Sequence, residues 1–150
     1  MNRGLAVNLA ACLLLLIQYL LGMVVNVYVV LPIRHPGANA ANYFAGSATS
    51  LGWAISSGPA WVAAHVVFGL ALVVAAFAAI ALTWRKGRRG GRTVAVLGAL
   101  AIIGAGFNGA SFVTYGRPFS SMIMAGLWAL ALACYLAGAV LAVLAARRPG

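Results

Sequence analysis

The sequence predicts an all-α fold: a transmembrane four-helix bundle with a short amphipathic helix in its first extracytoplasmic loop. Three observations carry this. Four apolar segments, about 5–31, 59–84, 93–115 and 119–146, each reach the ~20 residues a helix needs to cross the hydrocarbon core. Charged residues make up only 7% of a chain that is 65% hydrophobic, whereas a water-soluble domain carries about a quarter. Every charge is Lys or Arg, with Asp and Glu absent, and these cations sit at the ends of the apolar segments. A mean hydropathy of +1.04 over 150 residues describes a single integral membrane domain.

The first segment follows Met1-Asn2-Arg3, which resembles the start of a signal peptide. The run is too long for that and ends without a small-residue cleavage site, so it is read as a retained anchor. Leu9-Ala10-Ala11-Cys12 resembles a lipoprotein box, but too few residues precede it. Pro32 and Pro36 bracket Ile33-Arg34-His35 and stop the helix there.

The first loop, about 32–58, is too long to be a bare connector. Within it Phe44, Ala48, Leu51 and Ile55 recur at helical spacing, while Ser47 and Ser50 point elsewhere. This predicts a short amphipathic helix on the outer membrane surface, capping the bundle or acting as a lid over a site that opens outward. Tyr43, Trp53, Trp61 and Trp84 suit headgroup depth.

The second and third segments flank a basic run, Arg85, Lys86, Arg88, Arg89 and Arg92. Arg3 precedes the first span, and Arg147 and Arg148 follow the last. The intervening segments on the other side carry only Arg34 and Arg117. By the positive-inside rule the basic run and both termini are cytoplasmic. Anionic lipid headgroups are a sufficient partner for the net charge of +10. Nucleic acid is not the expected partner.

Association of helices in lipid rests on close van der Waals contact. Ala101, Ala105 and Gly109 form a small-residue stripe in the third span, with Gly98, Gly104 and Gly106 nearby. Gly22, Gly69, Gly126 and Gly138 offer similar approach points on the other spans. The same stripe also allows a homo-oligomer.

Polar residues within the spans are few. Gln18, Gly22 and Asn26 make one stripe at i, i+4 and i+8, with a gap for a neighbour. His65 stands one turn before Gly69. Asn108, Ser111 and Tyr115 share a face, and Ser120, Ser121, Met122 and Met124 open the fourth span ahead of Trp128. Counting from each span's midpoint, Asn26, His65, Asn108 and Trp128 all fall in the outer half at similar depth. The expectation is an outward-facing polar layer, serving either as an interhelical hydrogen-bond network or as a site.

The missing carboxylates exclude carboxylate acid/base pairs, carboxylate-held Mg2+ or Ca2+ and Asp/Glu proton relays. Gly87-Arg88-Arg89-Gly90-Gly91 lacks phosphate-loop spacing. Unless a partner supplies the acids, the chain reads as a non-catalytic accessory or binding subunit, with another membrane protein as its expected partner. The alternative is a protein binding haem or a related redox cofactor, with His65 as axial ligand, Gly69 leaving room for the macrocycle, and His35 or Met124 as second ligand. A small transporter or channel is a further alternative. Soft-metal binding by Met122, Met124, His35 and His65 is the last. Cys12 and Cys134, both in the inner half, read as packing residues without a disulfide.

The pattern Gln18-Tyr19-Leu20-Leu21-Gly22, Asn26, His35-Pro36-Gly37-Ala38, Asn42-Tyr43-Phe44, His65 and Gly106-Phe107-Asn108-Gly109-Ala110-Ser111-Phe112 resembles uncharacterised small four-span integral membrane proteins of high-GC bacteria. The Ala-, Gly- and Arg-rich composition points the same way. The resemblance extends over nearly the whole chain and implies the four-span topology and, as location, the plasma (inner) membrane of a bacterium; it assigns no chemistry to any residue.

Overall fold

The computed structural model describes residues 3–86 and 89–147. Its helices are α1 (Arg3–Tyr28), α2 (Tyr43–Ser56), α3 (Ala60–Lys86), α4 (Arg89–Tyr115) and α5 (Pro118–Ala146). All but α2 are long and apolar enough to cross a membrane, and lipid leaves a helix as the form that satisfies its own backbone. This is an all-α integral membrane protein with four spans and one short helix.

Two boundaries differ from expectation by more than two residues. α1 ends at Tyr28 rather than near 31, because Pro32 disfavours helical geometry in the residue before it and has no N–H to continue the ladder. At the other end of the bundle α4 begins at Arg89, four residues before the expected 93. Arg85 and Lys86 belong to α3, and Arg89 and Arg92 to α4. The basic run is thus mostly helix end rather than loop, while Gly87, Arg88 and Arg148 lie outside the described residues. Pro118 starts α5 at the first helical position, where a missing N–H costs nothing.

The four long helices form a ring. α4 and α5 share the largest interface, followed by α1–α5, α3–α4 and α1–α3, while the Cα atoms of the diagonal pairs α1–α4 and α3–α5 stay more than 8 Å apart. The core is built largely of small residues: Cys12 and Leu15 from α1, Leu72, Ala76 and Ala79 from α3, Ala99, Ala101 and Ile102 from α4, and Ala131 and Tyr135 from α5. Such a core lets backbones approach closely, which is where association energy comes from in lipid. Gly98 receives the Tyr135 ring, Gly104 the Leu127 side chain and Gly109 the Met124 thioether. Gly106 and Gly126 face open space and take no part in packing within the chain.

α2 is capped by Asn42, whose side chain accepts from the Ala45 N–H at 3.0 Å. Its small face (Gly46, Ser47, Ser50 and Ala54) is buried, and Phe44 and Ile55 are exposed. It packs against α3 and α4 and makes no contact with α1 or α5. The cap is therefore one-sided.

Candidate functional site

The best-organised polar group lies between α1 and α3. Gln18 Nε2 donates to the carbonyl oxygen of His65 at 3.2 Å and lies 3.2 Å from His65 Nε2. A carbonyl oxygen only accepts, so the amide must present its nitrogen here. Both amide hydrogens are then used, one on the carbonyl and one on the ring. His65 Nε2 consequently accepts, and the proton of the neutral imidazole sits on Nδ1. That Nδ1 and Gln18 Oε1 are buried without a hydrogen-bond partner.

Two glycines make room for the pair. A methyl on Gly22 would stand 3.1 Å from His65 Cε1, and a methyl on Gly69 would stand 3.1 Å from Gln18 Nε2. Each polar side chain therefore lies over the glycine that follows the other by one turn. The gap expected at Gly22 is filled by His65.

α5 grips the same stretch of α1 from the other side. Trp128 Nε1 donates to Leu15 O at 2.8 Å, and its indole stacks on Tyr19 with ring centres 4.7 Å apart. Gln18, Tyr19 and Leu15 thus make α1 the element on which α3 and α5 both close.

The remaining expected layer members do not join this group. Asn26 is exposed in the last turn of α1, two residues from its end, and forms no hydrogen bond across the bundle. The shorter helix places it nearer the outer surface than the counted span implied. Asn108 donates to Gly104 O on its own helix at 2.9 Å. Met124 packs on Gly109 of α4. His35 is held in the outer loop, stacked on Trp53 at 4.2 Å with its ring nitrogens 3.0 Å from Pro36 O and 3.1 Å from Val113 O. No group of three or more His, Cys, Asp or Glu side chains is gathered among the described residues.

A second assembly ties the outer loop to the end of α4. Asn39 N donates to Thr114 O at 2.9 Å, Tyr115 OH to Ala40 O at 3.1 Å, and Tyr43 OH to Phe107 O at 2.8 Å. Asn39 and Gly37 carry positive φ. A side chain on Gly37 would meet Gly46 O and Ser50 N at 2.5 and 2.6 Å, so only glycine lets the loop lie this close to α2. A cavity of about 410 Å³ opens beside the latch, lined by Leu31, Ile33, His35, Asn39, Val113 and Tyr115 among others.

Fold and site together define a small multi-pass α-helical membrane protein. Comparison with protein-family models, with curated proteins and with solved structures finds no match for the chain.

Proposed function

We propose that the chain is a non-catalytic accessory or binding subunit of a bacterial plasma membrane, with both termini cytoplasmic, that engages another membrane protein. One observation supports this above the others: the ionisable group placed within the bilayer, His65, is engaged by Gln18 of a neighbouring helix. An intramembrane histidine is by default a functional hypothesis; here its ring nitrogen and its carbonyl hold α1 to α3. The polar groups of this layer stiffen the body, and the outer loop and the lipid-facing surfaces are left for contact with a partner.

The experiment is deletion of the chain in its host, followed by quantification of membrane complexes and affinity purification of the tagged chain in mild detergent. The account expects a stoichiometric membrane partner whose yield drops in the deletion strain. A chain that migrates alone, and whose loss leaves every complex unchanged, contradicts it.

A haem- or redox-cofactor-binding function is the second reading: Nδ1 of His65 has no hydrogen-bond partner, and it would become a ligand if the ring proton moved to Nε2 and the Gln18 contact there were given up. The tight fit of the ring over Gly22 speaks for the first reading. A Soret band in protein from a haem-replete host, lost in His65→Ala, would reverse the order of the two.

A further inference from the structure

We infer that the basic end of the bundle holds one anionic phospholipid in the groove between α3 and α4, its phosphate on Arg92 and an acyl chain along Val96 and Leu97. The groove is a cavity of about 280 Å³ lined by Trp84, Arg92, Thr93, Val96 and Leu97. Arg92, Val96 and Leu97 follow one another along a face of α4, from the charged end into the membrane-spanning part. Trp84 forms the opposite wall from α3, two residues before that helix ends. The lining is therefore a cation at the mouth and apolar groups below it, in the order in which a phospholipid presents its phosphate and chains.

Arg92 is fixed in place rather than left to wander. Its Nη2 donates to Trp84 O at 3.1 Å, and its guanidinium carbon lies 5.8 Å from the centre of the Trp84 ring. Nη2 is the guanidinium nitrogen held by a protein acceptor, so Nη1 is left to meet a phosphate at the head of the apolar groove. A planar guanidinium positioned by an aromatic wall matches phosphate oxygens in a way a mobile ammonium does not. The chain contributes no Asp or Glu to compete for it. Basic pockets between spans are a known form of headgroup recognition. The occupant is the lipid and not free phosphate, because most of the groove wall is apolar.

The test is the affinity of the detergent-purified full chain for phosphatidylglycerol and phosphatidylcholine, read by native mass spectrometry or thermal shift. Variants are Arg92→Gln, Arg3→Gln as an equal change of charge at the same end, and Leu97→Trp to fill the groove. Phosphatidylglycerol is expected to bind the wild type in preference to phosphatidylcholine. Arg92→Gln is expected to bind it about tenfold more weakly than Arg3→Gln does, as loss of a charge-assisted contact implies. Leu97→Trp should weaken binding without any change of charge. Equal losses in Arg92→Gln and Arg3→Gln would mean a diffuse field and overturn the site. A shift produced as well by inorganic phosphate would overturn the lipid as occupant. If Arg92→Gln does not fold, Leu97→Trp decides: retained preference for phosphatidylglycerol overturns the proposal.

Discussion

Gln18 and His65 illustrate how a polar pair is tolerated inside a bilayer. Each side chain needs a partner and each needs space, and the partner helix supplies both through an acceptor and a glycine. Space is the more demanding of the two. Gly22→Val and Gly69→Val push branched side chains into the volume held by His65 and Gln18, and overpacking of this kind costs about 1–3 kcal/mol. Unfolding in mixed micelles should register that loss for both variants, whereas Gly126→Val, facing open space, should stay near wild type. If all three behave alike, the close approach of α1 and α3 is not as described. The pairing was partly legible in the sequence. Gln18 precedes Gly22 by one turn and His65 precedes Gly69 by one turn, and in antiparallel helices that shared spacing sets each polar group over the other's glycine. Depth alone misled: it grouped Asn26 and Asn108 with His65, but depth says nothing of the direction a side chain takes around its helix. Asn108 turns back to its own backbone and Asn26 faces outward. The Trp128 bond to a main-chain carbonyl had no signal in the sequence, because every residue carries that acceptor.

At the scale of the element, α2 was the most informative and the least complete expectation. The spacing of Phe44, Ala48, Leu51 and Ile55 gave the helix, and the structure buries its opposite face, with Ser47 and Ser50, in the protein. What the spacing could not give is the target of the opposite face, since Gly46, Ser47, Ser50 and Ala54 are small enough to suit any backbone. The latch to α4 decides it, through Asn39, Ala40 and Tyr43. Gly37 is the residue on which this docking depends. Gly37→Ala adds a methyl at positive φ against Gly46 O and Ser50 N, a strain of about 1–3 kcal/mol that undocking of α2 relieves. Hydrogen exchange over residues 43–56 should rise in that variant while the long helices keep their protection. Unchanged exchange across α2 would show that the loop is held by something other than this contact. Tyr43→Phe removes one hydrogen bond to Phe107 O and should cost only about 0.5–1.5 kcal/mol.

At the scale of the whole molecule, the ring of helices is closed by unlike devices. α4 and α5 meet through glycines filled by Tyr135, Leu127 and Met124, α1 and α3 through a polar pair, and α1 and α5 through an indole. The first kind was readable as a small-residue pattern, and four spans followed from length and hydropathy, because the bilayer imposes both directly. The Gln18–His65 pair joins α1 to α3 and does not wait for a ligand. The most direct measurement is a double-mutant cycle on the purified protein with Gln18→Leu, His65→Leu and the double variant, each followed by reversible unfolding in mixed micelles. The account predicts a favourable coupling of about 0.6 kcal/mol, and up to about 1.7 kcal/mol, the range of interhelical hydrogen bonds in membranes. Additive losses, or a His65→Leu variant more stable than wild type, would contradict it and return His65 to the role of an unsatisfied group held for a ligand.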